Sequence, residues 1–132
     1  MNQVVARFLD GRTLKGQTND FLPARGIFHL LPDGSKAGDK PVEMQVAELK
    51  ALFFVRSLAG DPQHQKTNAF DPFKPAQGRK VQVEFKDGEV LLGTTQGYQP
   101  DRPGFFIIPA DSQSNNERCF VVAAATKQVQ LM

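Results

Sequence analysis

The chain has 132 residues, 40% of them hydrophobic and 23% charged, with a formal net charge of +2, a composition that fits one ordinary folded domain or two very small ones and excludes a disordered chain. Its 16 Lys and Arg are interleaved with 14 Asp and Glu, so charge marks no polyanion partner. One cysteine excludes an internal disulfide, and with neither a leader pattern nor an apolar run of membrane length, a cytoplasmic location without a membrane partner is expected.

The chain repeats itself at a constant shift of 77: residues 3–55 lie over 80–132 without a gap, and 14 of the 53 pairs are identical. Each copy opens on a strand, clearest where Val81, Val83 and Phe85 alternate with Gln82, Glu84 and Lys86. Asp10-Gly11 and Asp87-Gly88 then predict a two-residue primed hairpin, whose central residues need positive φ. The second strand carries Gly16 or Gly93 in its middle, the mark of a sharp bend or of a second backbone lying close. A loop with Pro23 or Pro100 leads to a short apolar third strand, Ile27 to Leu31 or Phe105 to Ile108, closed by proline. A polar hairpin (33–40 or 111–117) and a fourth strand (42–46 or 119–122) follow. Ala47 to Leu49 and Ala124 to Thr126 suit one 3₁₀ turn, and a fifth strand ends each copy, at 50–58 and 127–132.

Five short strands, a bent second strand and a helical turn before the fifth predict an all-β fold of two tandem five-stranded small barrels of the Sm or Src-homology-3 type. The expected boundaries are 1–58 for the first repeat, 59–78 for a Pro/Gly-rich linker and 79–132 for the second repeat. Within the linker, Gly60, Pro62, Pro72, Pro75 and Gly78 preclude a regular element, and Phe70 and Phe73 are expected to dock on a barrel. Gln82 and Lys86 correspond to Val5 and Leu9, so the first repeat is apolar on a face where the second is polar. Val5, Leu9 and the run Leu52 to Val55, Phe53 above all, are therefore the candidate interface, with the other copy or in a homodimer. Cys119, beside Phe120, Val121 and Val122, reads as a core residue.

Val4 to Phe21 resembles the first Sm motif of the bacterial Sm-like RNA chaperone: an apolar strand, a turn ending in Gly, a Leu-x-Gly pair and an aromatic five residues later. The two-copy pattern, with its Phe-x-Asp-Gly hairpin and the segment Leu49 to Val55, also resembles an uncharacterised bacterial domain family. The first resemblance implies a small barrel that can hold RNA. The base-holding Asp-x-aromatic-x-Asn signature is absent, its place being taken by Phe21-Leu22-Pro23-Ala24-Arg25, and the second Sm motif is replaced by Ala47-Glu48-Leu49-Lys50.

Arg25 and Arg102 recur on equivalent loops, where a repeated arginine can grip a phosphate or carboxylate in bidentate fashion or pair locally with Asp20 or Asp101. Phe21 and Tyr98 on the same loops are candidate stacking residues, with Lys15 as a further phosphate contact. Asp33-Gly34-Ser35-Lys36-Ala37-Gly38 matches half of the cyclic-dinucleotide motif of PilZ domains, but the upstream arginine pair is missing and a plain Asp-Gly turn accounts for it. His29 and His64 have no companions at metal spacing, Asp10 and Asp87 have turn roles, and no nucleophile, base and acid set is evident. The expectation is a non-enzymatic bacterial binding module without cofactor or metal, its partner a protein. RNA or a nucleotide is the alternative, and a cyclic dinucleotide a weaker one.

Overall fold

A computed structural model describes residues 2–58, 78–99, 101–110 and 115–132. The expected linker, with His64, Phe70 and Phe73, and part of the second polar hairpin lie outside the described residues. The first copy contributes β1 (Asn2–Phe8), β2 (Thr13–Thr18), β3 (Ile27–Pro32), β4 (Val42–Gln45), a 3₁₀ turn (Val46–Glu48) and β5 (Leu49–Val55). The second contributes β6 (Arg79–Phe85), β7 (Val90–Thr95), β8 (Gly104–Pro109), β9 (Asn116–Val122), a 3₁₀ turn (Ala123–Ala125) and β10 (Thr126–Leu131). The fold is all-β, and the shift of 77 holds in three dimensions. Phe8 opposite Leu49 is matched by Phe85 opposite Thr126, and Phe28 opposite Met44 by Phe105 opposite Val121.

The ten strands form one antiparallel sheet in the order β10-β6-β7-β8-β9-β5-β1-β2-β3-β4. Against the expectation of two tandem five-stranded barrels, the observed sheet is not closed into a barrel but is continuous and open at β10 and β4, with β5 of the first copy paired to β9 of the second. The reason lies in β5, where all seven residues are buried. A strand that is apolar on both faces has to be covered on both. Ala51, Phe53 and Val55 enter a core built mainly from the second copy, with Val81, Val83, Phe85 and Ile107. Leu49, Leu52 and Phe54 enter the core of the first, with Val4, Phe28 and Leu30. The exchange is reciprocal, because Phe120 and Val122 of β9 join the first core while Cys119 and Val121 stay in the second.

The hairpins differ in type from the primed turn expected. Phe8 accepts from the Gly11 N–H (3.1 Å) and donates to the Arg12 carbonyl (2.9 Å), and Phe85, Gly88 and Glu89 repeat this. Gly11 and Gly88 have φ near +95°, whereas no non-glycine residue among the described residues has positive φ. This is the three-residue loop with a glycine bulge, in which only the glycine need be left-handed. Asp10 and Asp87 hold it by accepting from the N–H two residues on, each at 3.0 Å.

Gly16 and Gly93 lie where β2 and β7 pass under the next strand. A methyl group there would fall on the carbonyl oxygen of Leu31 or Ile108. Gly16→Ala and Gly93→Ala are each expected to lower unfolding stability by about 2 kcal/mol through overpacking. Gly26→Ala, whose added carbon meets nothing within 4 Å, is expected to stay within about 0.5 kcal/mol. Urea titration of the three variants checks this.

Candidate functional site

The β2–β3 and β7–β8 loops are equivalent by the repeat, and the seam brings them side by side. Each is anchored by the threonine that ends its first strand: Thr18 donates to the His29 carbonyl (2.7 Å) and Thr95 to the Phe106 carbonyl (2.9 Å). Each then turns with the arginine N–H donating to the carbonyl three residues back, Arg25 to Leu22 (3.0 Å) and Arg102 to Gln99 (3.1 Å). Between the loops lies a cleft of about 570 Å³, within the range of ligand pockets. Pro23 and Ala24 form one wall, Gln96, Gly97 and Asp101 to Gly104 the other, and Phe105, Phe106 and Phe120 the floor.

Arg102 is fixed at the rim by its Nε–H donating to Gln99 Oε1 (2.6 Å). Gly104 permits the floor, since a side chain there would strike the Val121 carbonyl and the Phe120 ring. The rings beside the cleft form a cluster from both copies: Phe21 lies edge-on to Phe28 and Phe120, both at 5.1 Å, and within 6.2 Å of Phe106. Arg118, one residue pair along β9, lies over Phe54 (4.2 Å) and Phe106 (4.9 Å).

Of the residues singled out from sequence, Arg102 lines this cleft and Phe21 supports it from beneath. Phe21 spends its ring on four neighbouring rings, Phe54 being the fourth. Tyr98 is half-buried against Phe105 at 4.7 Å, and Arg25 is exposed outside the lining. Asp20, one of its expected partners, instead pairs with His29 (2.7 Å) and accepts the His29 N–H (2.9 Å). Lys15 lies elsewhere, donating to the Leu58 carbonyl (3.0 Å) in a notch with Arg7 and Phe53. Val5 and Phe53 pack on the second core, whereas Leu9 is 54% exposed. Around Asp33 and Ser35, the residues lining the nearby hollow include no arginine, and Ser35 donates to the Pro32 carbonyl. Phe106, Phe120 and Arg118 were not foreseen. Their signal was a difference between copies, His29, Glu43 and Pro41 standing at the matching places.

A model of a family of unknown function, DUF6982, matches residues 1–132. The chain belongs to that family. No curated protein and no solved structure matches the DUF6982 chain. No helix among the described residues is long and apolar enough to cross a membrane.

An ion pair between a buried lysine and two exposed carboxylates locks the seam on the other side. Lys50 of β5, 7% exposed, donates from Nζ to Asp87 Oδ2 (2.7 Å) and Glu89 Oε1 (2.9 Å) on the second copy's hairpin. Burial works against the Lys50 ammonium, but the two carboxylates outweigh it and raise its pKa. The Lys50 hydrogen bond, then the Glu89 N–H, hold the Asp87 carboxyl below its ordinary value. Because the folded pKa of Asp87 is the lower one, its contribution is complete above the ordinary carboxylate range and is lost progressively as pH falls below that range and through the folded pKa. The Lys50 contribution is lost only above its ordinary value of 10.5. Lys50→Met is therefore expected to cost about 1–2 kcal/mol at pH 7, allowing for the exposure of the acids. In thermal melts from pH 7 to pH 3 the gap between variant and wild type should narrow; a constant gap would contradict the pairing.

Proposed function

We propose that this chain is a non-enzymatic interaction module, two Sm-like small barrels fused through one sheet, that holds a protein partner in the cleft between its repeated loops. The barrel reading is supported by the strand order within each copy, β5-β1-β2-β3-β4 and β10-β6-β7-β8-β9, by the bend at Gly16 and Gly93, and by the 3₁₀ turn before each last strand. The observation that carries the function is the convergence of two equivalent loops on one apolar-floored cleft with a fixed arginine at its rim.

The floor favours an apolar side chain over a nucleobase. Phe105 is 4% and Phe120 1% exposed, and the half-buried Phe106 has Arg118 over its ring at 4.9 Å, whereas stacking a base needs an open ring face. An inserted aliphatic or aromatic side chain needs only a concave apolar wall, and Arg102 and Asp101 then supply directional contacts at the rim. RNA or a nucleotide is the second reading, favoured by Arg118 lying over Phe54 and Phe106. A guanidinium on an aromatic platform at a seam can meet phosphate.

The test is selection of a displayed random-peptide library against the full chain, followed by anisotropy titration of the enriched peptides and of a mixed-sequence RNA at two salt concentrations. Peptide binding weakened about tenfold or more by Ala24→Trp and by Arg102→Ala, unchanged in Arg25→Ala and nearly indifferent to salt, is the expected result. RNA binding that falls steeply with salt and is lost in Arg102→Ala/Arg118→Ala, with no peptide enriched, would replace this reading by the second.

A further inference from the structure

The shift of 77 relates not only the folded copies but also their edges. Inside the chain, β5 of the first copy pairs with β9 of the second. The equivalent of β5 is β10 and the equivalent of β9 is β4, and these are the strands at the two ends of the sheet. The chain therefore presents, at opposite ends, the two halves of the seam it has already made once. In the seam's register Val129 would face Glu43 of another copy, Gln130 would face Val42, and Gln128 would face Met44. Head-to-tail pairing of that kind is heterologous and would propagate into rings or filaments.

Several residues at those positions have become polar, while Val42, Met44 and Val129 remain apolar and Asp10 and Lys127 are unchanged from Asp87 and Lys50. Across the seam, Ala51 and Phe53 of β5 pass into the second core and Phe120 and Val122 of β9 pass into the first. At the outer edges their equivalents are Gln128 and Gln130, and Glu43 and Gln45, all exposed. Arg118 is matched by Pro41, which has no N–H to offer a neighbouring strand. Glu89, a partner of Lys50, is matched by Arg12, which would face the Lys127 of a docking copy with like charge. Finally, β4 has four residues where β9 has seven. Charge, proline and shortness on an exposed edge all oppose strand addition, and here they replace residues that the same fold uses to promote it.

We infer that β10 and β4 are the two halves of a second seam, disabled by polar residues at the seam positions so that the sheet stops at two repeats and copies of the chain do not add. The inference is independent of what the cleft binds.

Two full-length variants test it. One restores the β4 half (Arg12→Glu, Pro41→Arg, Glu43→Phe, Gln45→Val); the other restores the β10 half (Gln128→Ala, Gln130→Phe). Each retains one disabled edge, so each alone should run as a single chain of about 14.6 kDa in sedimentation, as should the wild type. Mixed in equal amounts, they should form a complex of twice that mass. Thermal melts of each variant show whether it is folded before mixing. Two folded variants that stay apart on mixing would overturn the equivalence of edge and seam. A wild type that self-associates, and ceases to do so when Val42→Pro breaks β4, would overturn the claim that its edges are closed.

Discussion

The pairing of β5 with β9 is the constraint on which the rest depends. Each of these strands sends alternate side chains into two different cores, so neither repeat has a complete core without the other. Fully burying side chains such as Phe53 or Phe120 stabilises by about 1.5–3 kcal/mol each, and every such contribution here is also an inter-repeat contact. The Lys50 pair with Asp87 and Glu89 lies along the same line. Its net contribution is modest, but it fixes which strand residue faces which hairpin, and so fixes register where an apolar slip of two residues would otherwise be tolerated.

Register at the seam in turn makes the cleft. The loops that wall it belong to different copies and are far apart in the chain; they meet because β5 and β9 are neighbours. Thr18 and Thr95 anchor the start of each loop to its own third strand, so the seam sets the separation of those anchors. The aromatic cluster of Phe21, Phe28, Phe54, Phe106 and Phe120 fills the space beneath and transmits that spacing.

Much of this was legible in the chain, and the misses have physical reasons. The repeat gave strand order and bounds to within a few residues, because turn glycines, closing prolines and apolar alternation leave local marks. It also pointed to Phe53 and Val5, since a side chain apolar on the wrong face asks for a cover. The turn type was misjudged because Asp-Gly serves two hairpins, and only the φ of Asp10 separates them. The joining of the two repeats into one sheet left no periodic signature, because strand pairing is made by backbone groups that every residue but proline possesses in full. Phe106 and Phe120 were hidden for a related reason: on a strand rich in apolar residues, a cleft floor and a core position look alike. Arg102 could be named as a candidate because it repeats, yet its twin Arg25 lies outside the lining. Recurrence marks a shared backbone role, here the turn closed by the arginine N–H, before it marks a shared ligand.

The way the copies diverged argues that the seam is what joins them into one structural unit. Some positions identical in both repeats, Gly16 and Gly93 or Thr18 and Thr95, serve the fold of a single copy, whereas Lys50 and Asp87, also repeated as Lys127 and Asp10, meet across the seam. The changes that make one chain out of two copies are paired across the seam: where β5 is apolar on both faces β10 is half polar, and where β9 carries Phe120 and Val122 β4 carries Glu43 and Gln45. The same substitutions remove the cleft floor from the first copy, because His29 and Glu43 stand opposite each other where Phe106 and Phe120 do in the second. Two equal repeats would present two equal loop sites or an open-ended array of them. Unequal repeats leave, among the described residues, a loop cleft floored by Phe105, Phe106 and Phe120 on the second copy alone, an asymmetry that under the proposed function would hold a partner in one orientation.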